Sequence, residues 1–151
     1  MNRDREKTTR LVIHCSATPP KMDIGTEEIH QWHIRRGIKS PRGSLTGYHG
    51  VIRRDGTLEY GREMMEIGAH CRGINQSSVG VCLVGGIESG SSPPAPEDNF
   101  TLQQMHTLVD VIRFCRIVWP DIKIIGHTEY NNRKACPCFD VQEFLTSWRT
   151  A

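Results

Sequence analysis

Residues 126–140 bring together several side chains that can do chemistry. The segment contains a histidine, a lysine and two thiols, at His127, Lys134, Cys136 and Cys138. Imidazole and thiolate are both good zinc ligands, and a catalytic zinc site uses three protein ligands and keeps one position open. His127 and Cys136 supply two ligands, so the third must come from another part of the chain.

Two apolar runs that predict buried strands each end beside a histidine. One run covers residues 11–15 and carries His14 near its end, and the other covers residues 123–126 and leads into His127. The carboxyl end of a strand is where α/β folds place their sites. If the two strands are neighbours, both imidazoles and Cys136 can converge on one metal ion. The alternative is that each histidine is only hydrogen-bonded where it stands.

The other elements predict a single α/β domain. The sequence favours a helix at 26–36, hairpin strands at 48–53 and 57–60 around Asp55-Gly56, a strand at 79–84, a helix after Thr101, and a last helix capped by Asp140. No internal repeat or linker separates these elements. We therefore expect a central mixed β-sheet flanked by helices over residues 10–151, preceded by a flexible arm at residues 1–9.

The composition restricts the class of protein. A chain of 151 residues with a net charge of +2 suits one globular domain, and its scattered basic residues do not predict a nucleic-acid-binding surface. The first ten residues are charged and no apolar run as long as a signal-peptide h-region follows them, so we expect no signal peptide, no membrane span and synthesis in the cytoplasm. In that compartment the six cysteines are expected to be free thiols.

Five blocks of the sequence resemble the T7-type phage lysozymes. They are VIHCSAT at 12–18, GYHGVIRRDG at 47–56, GAHCRGIN at 68–75, SVGVCLVGGI at 78–87 and RKACPCFD at 133–140. The blocks match in order and in spacing. These lysozymes are zinc N-acetylmuramoyl-L-alanine amidases related to peptidoglycan recognition proteins. The resemblance implies the α/β fold of that group and hydrolysis of the amide bond between N-acetylmuramic acid and L-alanine by a phage or prophage endolysin.

The same resemblance implies a role for each matching residue. His14, His127 and Cys136 match the family's ligands for one zinc ion per chain. Tyr48 matches its catalytic tyrosine and Lys134 its catalytic lysine, although Tyr48 could also be an ordinary strand aromatic.

Two further positions match residues that line the groove for the peptidoglycan stem in relatives. These are His70 and Asn75. The structural alternatives are a packed turn residue for His70 and a backbone cap for Asn75.

Two features differ from the family pattern. Cys138 stands where T7-type sequences carry a serine, and we predict that it is not a zinc ligand. The N-terminal arm is shorter and different in sequence from the arm that lets a T7-type lysozyme inhibit its phage RNA polymerase. Inhibition of a phage RNA polymerase therefore does not follow from the resemblance, and such a polymerase stays an open second partner besides bacterial peptidoglycan. We expect a monomer that acts on the cell wall after release from the host cytoplasm.

Other functions remain open from the residues alone. A non-catalytic peptidoglycan-binding or regulatory protein is one, although relatives that only bind typically lack the thiolate ligand. A cysteine peptidase with Cys136 or Cys138 as nucleophile and His127 as base is another. Neither cysteine begins a predicted helix, where a thiolate would be activated. Glu129 is the nearest carboxylate in sequence, and its context predicts a loop carboxylate instead of a general base.

Overall fold

A five-stranded sheet forms the centre of the protein in the computed structural model, which describes residues 4–40, 43 and 46–148. The strands are β1 (Arg10–Cys15), β2 (Gly50–Ile52), β3 (Leu58–Tyr60), β4 (Ser78–Leu83) and β5 (Lys123–Gly126). Their order in the sheet is β3-β2-β4-β1-β5. The β2–β3 hairpin is antiparallel and the other pairs are parallel. The predicted mixed sheet is therefore confirmed.

Four helices accompany the sheet. They are α1 (Thr26–Arg35), α2 (Leu102–Val118), α3 (His127–Tyr130) and α4 (Val141–Ser147). Thr101 caps α2 by accepting a hydrogen bond from the Gln104 backbone N–H, which is the capping box expected from the sequence. The helix α3 was not predicted, because residues 127–130 were expected to belong to a loop, and the hairpin strands β2 and β3 are shorter than the predicted 48–53 and 57–60. The Glu129 carboxylate accepts the Gly126 backbone N–H at 2.6 Å and so caps this extra helical turn.

Apolar side chains fill the space on both faces of the sheet. The larger cluster joins the sheet to α2 and α4 and includes Leu11, Ile13, Leu108, Ile112 and Phe144. A smaller cluster contains residues from α1, β2 and β4, among them Ile29, Val51 and Cys82. Burial on both faces explains why β1 and β4 are continuous apolar runs instead of alternating ones. No helix in the described part of the chain is long and apolar enough to cross a membrane.

The register of the sheet places the two predicted histidines next to each other. β1 and β5 are parallel neighbours, and Ile13 pairs with Gly126. The residues that follow this pair are His14 and His127, so both lie at the carboxyl edge of the sheet.

The predicted arm is attached to the domain from Asp4 onward. The Arg5 guanidinium donates hydrogen bonds to the backbone carbonyls of Met64 at 2.6 Å and Glu66 at 2.7 Å, and the Arg5 side chain is buried. The Thr9 backbone N–H donates to Ser77 O at 2.8 Å. Residues 4–9 thus pack on the folded body, whereas residues 1–3 lie outside the described residues. Arg5 stands among other charged residues in the sequence, so the sequence did not predict this contact.

Candidate metal centre and active site

His14, His127 and Cys136 converge at the carboxyl edge of the sheet. Their potential ligand atoms all lie within 4.8 Å of one another, and Cys136 Sγ is 3.8 Å from His14 Nδ1. In a tetrahedral zinc site with ordinary bond lengths, nitrogen and sulfur ligand atoms are roughly 3.5 Å apart. This group therefore has the ligand chemistry of a zinc site, and the distance between Cys136 Sγ and His14 Nδ1 is close to the zinc value. It is the ligand set expected from the sequence.

The segment after α3 carries Cys136 back towards β1. The Thr128 backbone N–H donates to Cys136 O at 2.9 Å, which closes the loop at its base. The Cys15 backbone N–H donates to Cys136 Sγ at 3.1 Å. This hydrogen bond fixes the position of the sulfur, and the thiolate is the form of cysteine that binds metal.

The electrostatic environment keeps the histidines neutral. His14 is buried, and burial together with the neighbouring His70 and His127 lowers its pKa well below the usual value. Burial also lowers the pKa of His127, and the nearby Lys134 charge adds to this effect. A neutral imidazole has a free lone pair for a metal, so both rings are suited to ligation at pH 7.

Tyr48 lies beside His14, and Lys134 stands two residues before Cys136 in the sequence. The Tyr48 ring centroid is 5.2 Å from that of His14 and 5.3 Å from that of His33. Burial raises the pKa of Tyr48 well above its usual value, so the phenol keeps its proton and can donate a hydrogen bond. Lys134 is exposed, and its charge contributes to lowering the pKa of His127.

One histidine lies on each side of Tyr48 in the sequence, and both form hydrogen bonds within the protein. His33 is buried, and its Nδ1 accepts the Gly47 backbone N–H at 2.8 Å, as expected for a packed histidine. His49 is buried just before β2, and its Nε2 lies 2.8 Å from Glu66 O.

His70 and Asn75 occupy one turn before β4. Asn75 Oδ1 accepts the backbone N–H groups of His70 at 2.9 Å and Cys71 at 2.8 Å, so this residue is a backbone cap. His70 Nδ1 lies 2.9 Å from His14 Nε2, on the side of the His14 ring away from Cys136. Contact of either residue with substrate stays a prediction.

Cys138 lies outside the group of three. Its Sγ is 3.7 Å from Cys15 Sγ, and all six cysteines are free thiols, as predicted. The contact with Cys136 and burial raise the pKa of Cys15 to about 12, while the contact with Cys15 and burial raise the pKa of Cys138. A thiol with a raised pKa is a poor nucleophile at neutral pH, which disfavours Cys138 in a peptidase mechanism.

Both carboxylate oxygens of Glu129 form hydrogen bonds within the protein. Its Oε2 accepts the Gly126 backbone N–H at 2.6 Å, and its Oε1 accepts from Gln142 Nε2 at 2.9 Å. The expectation of a loop carboxylate was wrong, because Glu129 belongs to α3 and its carboxylate caps that helix.

The fold and the site together define an α/β domain with a His-His-Cys metal-binding group at its sheet edge. Comparison with known proteins gives its family. The model of the N-acetylmuramoyl-L-alanine amidase family matches residues 4–139, and the chain belongs to this family.

Similar proteins include phage endolysins. The endolysin of Enterobacteria phage K11 is 45% identical over 141 residues, which is 93% of this chain and 87% of the relative. The endolysin of Escherichia phage T7 is 39% identical over 142 residues, which is 94% of this chain and 88% of the relative. The resemblance found in the five sequence blocks is confirmed.

Solved structures agree on the fold. The N-acetylmuramoyl-L-alanine amidase LysC from Clostridium intestinale URNW has a TM-score of 0.74 at 23% identity, covering 95% of this chain and 86% of that chain. Drosophila PGRP-LB has a TM-score of 0.73 at 23% identity, covering 99% and 85%. At such identities the comparison establishes the architecture alone.

Proposed function

We propose that this protein is a zinc-dependent N-acetylmuramoyl-L-alanine amidase of the phage endolysin type. It cuts the amide bond between the lactyl group of N-acetylmuramic acid and L-alanine in bacterial peptidoglycan. Membership of the amidase family and the likeness to phage endolysins support the reaction. The observation that carries the metal dependence is the grouping of the His14, His127 and Cys136 ligand atoms within 4.8 Å.

The three side chains would hold one zinc ion. Bound there, zinc would polarise the scissile carbonyl and lower the pKa of a coordinated water to about 7. His14 would bind through Nδ1, the nitrogen that faces Cys136 Sγ. The Cys15 backbone N–H would stabilise the Cys136 thiolate through the hydrogen bond that it already donates.

Lys134 and Tyr48 would act on the reacting amide. Attack on the amide carbonyl builds negative charge on its oxygen, and an ammonium group near the metal centre stabilises that charge. Lys134 is exposed and stands in the same loop as Cys136, so its side chain would be free to turn towards a bound substrate. Tyr48 keeps its phenolic proton and can donate a hydrogen bond to the same oxygen or orient the attacking water.

Asn75 would contact the stem peptide. Two backbone N–H groups fix the position of its Oδ1. Its amide Nδ2 is then held in one orientation and is a suitable donor to a peptide carbonyl. Asn75→Asp would keep the cap but remove this donor, and should raise KM for peptidoglycan more than it lowers kcat.

Chemical analysis of digested peptidoglycan tests the proposed bond. The amidase should release new free L-alanine amino groups and no new reducing sugar ends. Reducing ends without new amino groups would mean that the protein is a glycosidase, and the proposal would be wrong.

Three further properties belong to the same proposal. The protein would work as a monomer and reach the cell wall after release from the host cytoplasm. Binding to a phage RNA polymerase would be a second, separate activity. A pull-down with the polymerase of the cognate phage tests it, and elution of a monomer in size-exclusion chromatography tests the oligomeric state.

A further inference from the structure

We propose that His70 is a positioning residue for the metal centre, which fixes the tautomer and the ring orientation of His14. This inference rests on the proposed zinc site and adds a residue outside the ligand set. His70 Nδ1 lies 2.9 Å from His14 Nε2, and the two rings meet edge to face with centroids 5.0 Å apart. The contact uses the His14 nitrogen that does not face Cys136.

A chain of hydrogen bonds determines the direction of this contact. It ends at the Ile74 backbone carbonyl, which can only accept, so the Ser78 hydroxyl donates to it at 2.7 Å. The Ser78 oxygen can then accept the Nε2–H of His70 at 3.4 Å. With its proton on Nε2, a neutral His70 presents a lone pair at Nδ1, and this lone pair accepts the Nε2–H of His14.

The result is the tautomer that a metal ligand needs. When the proton of neutral His14 is on Nε2, its Nδ1 is unprotonated and faces Cys136 Sγ. The opposite arrangement, with His70 donating, would place the His14 proton on Nδ1 and block the metal-binding position. The acceptor-only carbonyl at the far end of the chain disfavours that arrangement.

Two glycines make room for the His70 ring. A Cβ added at Gly80 would lie 2.4 Å from His70 Cγ, and a Cβ added at Gly68 would lie 2.6 Å from His70 Cδ2. Both distances are shorter than real contacts allow, so the ring is held between two backbone segments. This fixed position makes His70 a rigid acceptor for His14.

The same contacts bear on the substrate-contact role that the sequence resemblance implied. Both ring nitrogens of His70 already have protein partners, His14 and Ser78. A ring in this state has no free nitrogen for a hydrogen bond with the stem peptide. A residue that accepts a hydrogen bond from a metal-ligating histidine, as His70 does from His14, typically contributes 10- to 100-fold to metal affinity.

Zinc affinity, measured by competition with a chromogenic chelator, is the first test. His70→Phe keeps a flat ring but removes the acceptor, and we expect zinc to bind about 10- to 100-fold more weakly. His106→Phe replaces an exposed histidine far along the chain on α2 and should leave the affinity unchanged. The thermal unfolding of each metal-free variant reports whether it is folded. If folded His70→Phe binds zinc as tightly as the wild-type protein, the inference is wrong.

The tautomer of His14 is the second test, read from long-range ¹H–¹⁵N NMR spectra of the metal-free wild-type protein at neutral pH. We expect protonated Nε2 and unprotonated Nδ1. A protonated Nδ1 would overturn the inference even if the His70 variant fails to fold. Failure of the wild-type protein to bind zinc would instead contradict the proposed function, so the two failures are distinguishable.

Discussion

The Cys15 backbone N–H donates a hydrogen bond to Cys136 Sγ at 3.1 Å, across 121 positions of sequence. It joins the end of β1 to the loop that follows α3. Because β1 also carries His14, this bond sets the position of the candidate thiolate relative to the first candidate histidine.

The two thiols of the loop should therefore respond differently to substitution. Cys136→Ser replaces a candidate ligand and should abolish both zinc binding and peptidoglycan hydrolysis. Cys138→Ser should keep zinc and activity, because Cys138 lies against Cys15 and outside the group of three. Metal content and turnover, measured on both variants, check this. Loss of zinc in Cys138→Ser, with Cys136→Ser tolerated, would reverse the assignment.

Lys134 and Tyr48 should affect the reaction and leave the metal in place. Loss of one donor that stabilises developing charge typically costs about 100- to 1,000-fold in turnover. We expect losses of this size in Lys134→Ala and Tyr48→Phe, with unchanged zinc content and peptidoglycan binding. Lys134→Arg keeps the charge in a different shape and should recover only part of the rate. Zinc loss in proportion to lost activity would assign a structural role to the residue.

The sheet could be predicted from the sequence because its strands are short apolar runs with clear ends. Leu11 to Cys15 and Val79 to Val84 needed only their β-branched composition and the residues that interrupt them. The extra turn α3 was not predicted, because its cap depends on Glu129 reaching back to Gly126 in the folded chain. The ring of His70 between Gly68 and Gly80 depends on strand packing, which residue types do not report.

The site was predictable to a different degree for each residue. His14 and His127 end neighbouring strands, and the parallel register of β1 and β5 was enough to bring them together. The position of Cys136 depends on the path of a loop, which the sequence does not predict. Its assignment to the site came from the resemblance to the family. The contacts of His70 with His14 and Ser78 join three segments and could not be read from any one of them.

Arg5 should contribute to stability although it lies near the N-terminus. Its side chain is buried and donates to the Met64 and Glu66 carbonyls. Arg5→Met leaves the Met64 carbonyl without its donor, whereas the Glu66 carbonyl keeps its contact with His49 Nε2. We expect a loss of about 1–3 kcal/mol in the free energy of unfolding. Arg35→Met, at an exposed position, should change it by less than about 0.5 kcal/mol. Urea unfolding measures both, and equal effects would contradict the role of Arg5.

His49 should make the metal-free protein less stable in mild acid. Burial lowers the pKa of His49 from 6.5 to about 4. Between these values the unfolded chain takes up a proton that the folded protein excludes, so the free energy of unfolding falls as the pH drops from 6.5 towards 4. Below pH 4 the decrease in the free energy of unfolding that His49 causes has reached its full size.

A substitution isolates this effect. His49→Gln can still accept the Gly80 backbone N–H and donate to Glu66 O, but it does not titrate. Its free energy of unfolding should therefore depend less steeply on pH between 6.5 and 4, as measured by urea unfolding at several pH values. An unchanged slope in His49→Gln would show that His49 is not excluded from protonation.

Metal analysis of the purified protein tests the central claim most directly. We predict one tightly bound zinc per chain, held by His14, His127 and Cys136, and loss of peptidoglycan hydrolysis when a chelator removes it. Restoring zinc should restore activity. A metal-free protein that hydrolyses peptidoglycan at the full rate would contradict the account.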